Sequence, residues 1–464
     1  MTTTAGDIAA TGPARRTQNP LLTAPILPTL LRLTLPNLVA MLVTALVAVA
    51  ETSYVGILGT AQLAGIALVF PMVMLMQMMS AGAMGGGVSS AISRALGADD
   101  EARAESLALH ATVIGLTAGA IFSLLFLAFG PAIFHTLGGR GAVLEHAVAY
   151  AQVALTGTVL IWLLNTLASI VRGTGNMRVP SLTLLGAASL QIALGGALGL
   201  GIGPIPRFGL TGVATGLVIG FGAGAIFLLW FLCSGRARVR LRFTGIGLAR
   251  EMFFDILKVG ALAAFSPLQT VLTVLILTAL VARFGTDALA GYGIGARLEF
   301  LLVPIVFAVG VASVPMVGMA IGARDVARAR RVAWTAAGLA TLVLGGIGLT
   351  VATIPEVWSA RFTQDAGVRA AADLYLRLAG PGFAFVGAGM ALYFASQGSG
   401  KVLGPVLAAT VRLAVIAVGG WFLAYHAAPV WTLFALVAVS MVAYGLTTAA
   451  AVCATSWGDA GVRR

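Results

Sequence analysis

Residues 33–59 read LTLPNLVAMLVTALVAVAETSYVGILG, and Glu51 is the one charged side chain among them. Residues 60–93 add no other charge, so Glu51 stands alone from Leu33 to Ser93. A helix crosses the bilayer core in ~20 residues, so this window holds about two crossings. An ionisable group inside such a run is costly to keep from water, and its default reading is functional. The stretch therefore predicts membrane-spanning helices, with the chemistry turning on one carboxyl group.

The whole chain agrees with that window. Of its 464 residues, 59% are hydrophobic and 9% charged. Soluble domains carry about 25% charged residues, which leaves little room here for a sizeable soluble domain. Apolar runs broken by Gly, Pro and charged clusters give twelve candidate helices, the first at 31–55 and the last at 430–453. Pro71, Pro267, Pro304 and Pro315 lie inside these runs and are expected kink sites. Gly212, Gly216, Gly220 and Gly224 recur every fourth residue, forming a ridge that a neighbouring backbone can approach closely.

Three stretches repeat in order. GTAQLAG at 59–65 returns as GTDALAG at 285–291, and GADD at 97–100 as GARD at 322–325. RGTGNMRVP at 172–180 returns as QGSGKVLGP at 397–405, and Tyr150 falls on Tyr375 by the same offset. A near-constant shift over several motifs marks a duplicated half. Each half holds six helices, an even number, so both halves enter from one side and are related by an axis along the membrane normal. The expected fold is an all-α integral membrane protein: twelve transmembrane helices in two six-helix lobes related by that pseudo-two-fold axis. Residues 1–30 are expected as a mobile cytoplasmic N-terminal tail, with no signal-peptide pattern. Residues 31–233 form the N-lobe, 234–253 a basic cytoplasmic linker, 254–455 the C-lobe and 456–464 a C-terminal tail.

The net charge of +12 does not point to nucleic acid, because the basic residues sit in short loops. Of the 28 Lys and Arg, twenty fall on the side of the N-terminus. Six fall on the other side (Arg140, Arg207, Arg283, Arg361, Arg369, Arg377), and Arg297 and Arg412 lie within helices. Basic loops face the cytoplasm, so both termini are expected there, with the chain in the cell (inner) membrane. No GxxxxGK[ST] loop and no HExxH occur, so neither ATP-driven transport nor zinc hydrolysis has support. The chain is not read as an enzyme. No metal and no cofactor are expected.

These features resemble the multidrug and toxic compound extrusion (MATE) family of secondary transporters over nearly all of residues 30–455. The resemblance rests on the acid and small-residue turn from Glu51 to Gly59, and on the Gly-Thr…Leu-Ala signal in both lobes. It also rests on the Gly-Ala-Asp/Arg-Asp turns and the Arg/Gln-Gly-x-Gly turns. It implies export of small organic, often cationic and amphipathic, compounds in exchange for protons or sodium ions. Glu51 stands where the family has its helix-1 acid, usually Asp in prokaryotic members. Many relatives carry an Asn and, four residues later, an Asp in helix 5. The matching positions here are Gln191 and Gly195, so the second acid is missing. Acids that other branches carry in helices 7 and 10 fall at Ser266 and Val386.

Glu51 is therefore read as the ion-coupling residue, with the proton favoured over sodium. Sodium requires several hard oxygen ligands, and no acidic pair is visible. The alternative role for Glu51 is a carboxylate held structurally by Tyr54, Gln191 or backbone. Gln77, Asn165, Gln269 and Tyr393 are candidates to line the cavity or to hydrogen-bond helices together. Glu299 is the candidate acid of the C-lobe. It lies two residues from Arg297, too close in sequence to share a helix face with it. Methionines 72–84 suit a pliable apolar surface. The chain is expected to act as a monomer in the lipid bilayer, with small organic substrates as its partners. The rival readings are sodium-coupled antiport on the same fold, a lipid-linked oligosaccharide flippase, or a non-transporting membrane receptor or scaffold.

Overall fold

The computed structural model describes residues 19–243, 245 and 247–458. The expected mobile segment before residue 19, and residues 459–464 of the C-terminal tail, lie outside the described residues. Among those described there is no strand; eleven apolar helices are long enough to span a membrane, and one bent pair taken as a single span makes a twelfth. The first six are α1 (Ile26–Leu58), α2 (Thr60–Gly97), α3 (Glu101–Thr136), α4 (Gly141–Thr156 with Thr158–Gly173), α5 (Arg178–Leu200) and α6 (Leu210–Cys233). The second six are α7 (Arg250–Phe284), α8 (Thr286–Gly322), α9 (Val326–Thr353), α10 (Ala366–Ser399), α11 (Leu403–Tyr425) and α12 (Val430–Ala454).

The repeat read from sequence returns as repeated backbone geometry. Gly59 and Gly285 cap the starts of α2 and α8 at φ 140° and 96°, values a side chain resists. Asp100 and Asp325 cap α3 and α9 in the same way. Each accepts a hydrogen bond from the backbone N–H three residues on, at 2.9 and 2.8 Å. The residue before each cap, Asp99 or Arg324, is left-handed at φ 58° or 63°. Breaks also coincide: α4 bends by 44° at Gly157, and α10 is interrupted by a 3-10 turn at Gly380–Gly382.

The glycine ridge of α6 works by close packing. A methyl group on Gly212, Gly216 or Gly220 would stand within 2.4–2.6 Å of α5 backbone atoms, while Gly224 meets Leu164 of α4. This contact seats α5, and with it Gln191, against α6. The prolines behave unequally. α8 runs unbroken through Pro304 and Pro315. α7 breaks at Ala264, just before Pro267. Proline cannot donate to the carbonyl four residues back. That carbonyl, on Ala263, instead accepts from the Tyr393 hydroxyl at 3.0 Å. In α2 the irregularity falls at Met78–Met84, a seven-residue π-helix, rather than at Pro71.

Two expected boundaries move. Residues 19–30 were expected within a mobile tail, but they are packed. Leu21 and Leu30 are buried, and a short helix at Pro20–Thr23 precedes α1. Arg328 of α9 donates to the Leu21 and Ala24 carbonyls at 3.1 and 2.6 Å. The expected linker 234–253 is shortened by α7, which starts at Arg250. Val239 and Leu241 within it are buried, and Arg238 and Arg242 lie 3.5 and 3.4 Å from Glu101 and Glu105 of α3.

The lobes meet at the end of the molecule that carries residues 19 and 458. There Gly85–Gly97 of α2 packs into α7, α8 and α10. Ser90 donates to the Gln397 and Gly398 carbonyls. Asp255 of α7 pairs with Arg94 at 2.7 Å and Arg103 at 3.0 Å. Gly87 faces Gly260, Gly97 faces the Met319 backbone, and Gly318 and Gly322 face Ser93 and Arg94. Towards the opposite end, packing between Thr60–Gln77 and Phe265–Val281 thins out. The lobes are sealed at one end and parted at the other.

Candidate functional site

In the N-lobe, Glu51 is half-buried on α1 and its Oε1 accepts from Gln191 Nε2 of α5 at 2.7 Å. Gln191 is itself buried beneath the α6 ridge. Tyr54, one turn along α1, packs its ring on Gly196, where a methyl group would stand 3.1 Å from Cζ. Tyr150 of α4 is 3% exposed and close enough to Glu51 to feel its charge. A single carboxyl group, held by one amide donor with Tyr54 one turn away, thus forms a small polar site in an apolar lobe.

The C-lobe holds a different arrangement. A cavity of ≈ 200 Å³ opens between α2 and α7–α12. Phe300, Val306, Phe307 and Met390 supply apolar wall, while Gln269, Glu299, Tyr393 and Arg412 bring polar groups. Met74 and Met78 of α2 also line it, so both lobes contribute to its surface. Glu299 accepts from the hydroxyl of Tyr375, which is fully buried on α10. Arg412 of α11 feels the Glu299 charge, yet the ion pairs within 4.0 Å among the described residues do not include the two. Arg412 Nε and Gln269 Oε1 are buried without hydrogen-bond partners. Orphan polar atoms of this kind call for an explanation, and with Ser266 Oγ three belong to residues lining one cavity.

The sequence candidates separate into three groups. Glu51, Tyr54 and Gln191 come together in the N-lobe. Gln269, Glu299 and Tyr393 come together around the C-lobe cavity. Asn165 and Gln77 join neither. Asn165 Nδ2 donates to Ser80 Oγ at 2.8 Å, which clamps α4 to the π-helix of α2. Gln77 ends the regular part of α2 and is absent from the C-lobe cavity wall. Arg297 points away from Glu299, as the spacing required, and lies over the Phe362 ring at 5.7 Å. Sequence reasoning missed the roles of Tyr150 and Tyr375. They occupy equivalent places in the repeat; Tyr375 donates to Glu299 of α8, and Tyr150 lies within range of the Glu51 charge of α1. Their common offset was the available signal.

The MatE family model matches residues 36–195 and again residues 263–422, once per lobe. The chain belongs to the MATE family. Its members are transporters rather than enzymes, and the double match accords with the duplication read from the motifs. The MATE chain is 28% identical over 275 residues to an FAD transporter of Shewanella oneidensis, covering 59% of this chain and 60% of that one. It is 28% identical over 216 residues to the multidrug export protein MepA of Staphylococcus aureus, covering 46% of each. It thus spans about half to three fifths of the length of these curated relatives. Among solved structures, a MOP superfamily transporter from Pyrococcus furiosus superposes with a TM-score of 0.85 at 23% identity, over 92% of this chain and 95% of that one. An outward-facing multidrug resistance MATE family transporter superposes with a TM-score of 0.82 at 24% identity, over 94% and 96%. These likenesses establish the twelve-helix fold of an integral membrane protein.

Proposed function

We propose that this MATE transporter is a proton-coupled exporter of small organic compounds. It acts as a monomer in the cell (inner) membrane by alternating access of its two lobes. The observation that carries the reading is the lone Glu51 carboxyl, half-buried in the N-lobe and held by one amide. Gln191 presents an N–H to it. A sodium ion requires several hard oxygens. A proton requires one carboxyl group that each side of the membrane can reach in turn. The bias of basic residues supports a cytoplasmic position for the termini. The sealed end then faces inward and the lobes part outward. An imposed pH gradient, acid inside, is expected to drive accumulation of a cationic dye in everted vesicles. Drive by a sodium gradient alone overturns the proton assignment, and no drive by either overturns the exporter.

Arg412 favours a second reading of the substrate. Its guanidinium brings an unpartnered donor to a cavity with a largely apolar wall, and one relative is named an FAD transporter. An organic solute carrying an acidic group fits that donor. Hydrogen bonds to charged groups contribute about 1.5–3 kcal/mol. Arg412→Gln is therefore expected to lower uptake of an anionic dye by roughly ten- to a hundredfold, while cationic dye is retained. Equal loss of both dyes overturns this reading.

A further inference from the structure

We propose that a pocket at the sealed end of the N-lobe binds the phosphodiester headgroup of an anionic phospholipid. The pocket has a volume of ≈ 480 Å³ and lies between the ends of α1, α5 and α6. Four arginines line it: Arg32, Arg178, Arg236 and Arg238. Its inner wall includes Leu33, Val171 and Phe231, and Asn176 and Thr29 add polar groups.

Among the described residues, the charges in this pocket are largely uncompensated. Among the described residues, Arg238 has Glu101 at 3.5 Å, but no carboxylate lies within 4.0 Å of Arg32, Arg178 or Arg236. The neighbouring acids are engaged elsewhere, Glu105 with Arg242, and Asp255 with Arg94 and Arg103. Clustered cations held apart from any anion repel one another, and an anionic group seated among them relieves that repulsion.

The surroundings select a lipid over a soluble phosphate. Just beyond the arginines, each helix presents exposed apolar side chains: Leu31 and Leu35 on α1, Leu182 on α5, and Phe227 and Trp230 on α6. On a membrane protein such faces meet acyl chains. Arg236 lies over the Trp230 ring at 4.8 Å. Tryptophan collects at the headgroup level of membranes, which places the pocket mouth at that level. A phosphodiester among the arginines leaves its glycerol and acyl chains to continue along the apolar faces. Basic pockets between transmembrane helices bind anionic headgroups in this manner.

The test uses the full chain in detergent, with lipid binding read by native mass spectrometry and thermal unfolding. The probes are phosphatidylglycerol, phosphatidylethanolamine and inorganic phosphate. Phosphatidylglycerol is expected to bind and to raise the unfolding temperature, while phosphatidylethanolamine and inorganic phosphate are not. Each arginine near a charged surface changes affinity by roughly fivefold, so Arg32→Ala, Arg178→Ala and Arg236→Ala together are expected to cut phosphatidylglycerol affinity by on the order of a hundredfold. The lipid-free unfolding temperature of the triple variant separates misfolding from lost binding. Should it fall, the three Arg→Gln replacements, which retain polar side chains, carry the same expectation. Undiminished phosphatidylglycerol binding in a folded variant overturns the site. Binding of inorganic phosphate as tight as that of phosphatidylglycerol overturns the lipid assignment. Because no readout requires transport, the result is independent of the proposed exchange mechanism.

Discussion

Glu51→Gln is expected to remove the pH-driven part of transport while leaving the fold intact. Glutamine matches the volume of Glu51 and keeps an oxygen that can accept from Gln191, whose Nε2 lies 2.7 Å from the native carboxylate. It cannot take up and release a proton. Coupling between two ligands of one protein is typically worth about 1–3 kcal/mol, so dye accumulation under a pH gradient is expected to fall by roughly 5- to 150-fold. The dye's binding affinity is expected to lose its dependence on pH. The unfolding temperature in detergent serves as the control for structural damage. Accumulation that follows the pH gradient as in the native chain sinks the assignment. A drop in unfolding temperature that accounts for the whole loss favours the structural role, in which the carboxylate only ties α1 to α5.

The asymmetry of the lobes sharpens that expectation. Each lobe sets an acid against a repeat-equivalent tyrosine, Glu51 near Tyr150 and Glu299 on Tyr375. Glu299 additionally has a cation nearby, Arg412. No basic residue lies on α1 or α2 between Leu33 and Ser93, so the carboxylate of the N-lobe is balanced chiefly by a neutral amide. Loss of a proton from Glu51 therefore leaves a less compensated charge than loss from Glu299. A bistable pair of lobes responds to such a change if the two states differ in how they solvate it.

Helices and their duplication were legible because each depends on local rules. Apolar runs of membrane length and glycines at positive φ are properties of short segments. Gly59 and Gly285, or Gly175 and Gly400, keep their geometry whatever surrounds them. The Gly212–Gly224 ridge was legible for the same reason, since its spacing on one face implies close packing. The two polar clusters were only half legible. Glu51 announced itself by its isolation, and Gln191 by its place in helix 5. Tyr150 and Tyr375 reach their acids only through the packing of separate helices, which no local pattern encodes. The same holds for Arg412, which faces a cavity built from seven helices. Asn165 shows the converse: a buried amide in a transporter core can serve as a clamp, and its partner Ser80 is found only once the π-helix places it.

Gly97→Ala is expected to disable the seal between the lobes. A methyl group there stands 2.2 Å from the Met319 carbonyl oxygen and 2.7 Å from its Cα, and backbone cannot swing aside as a side chain can. Gly86 offers the contrast, because its added methyl meets only the Gln397 side chain. Overpacking of this kind costs about 1–3 kcal/mol. In this case the molecule has an escape, since α2 and α8 belong to different lobes and can separate. The cost then falls on the sealed state alone, and its population drops by roughly 5- to 150-fold relative to the opened one. Spin labels on Ser234→Cys and Arg331→Cys report the separation in a chain whose Cys233 and Cys453 are replaced by serine. Both label positions are exposed, one on each lobe. Their mean distance is expected to lengthen in Gly97→Ala and to stay native in Gly338→Ala, where a methyl group meets nothing within 4 Å. Transport is expected to fall with the sealed population, because a carrier that cannot close one end cannot open the other without a leak. An unchanged distance distribution with native transport removes the seam from the mechanism. It also leaves Gly87, Gly260, Gly318 and Gly322 as packing residues of a static core.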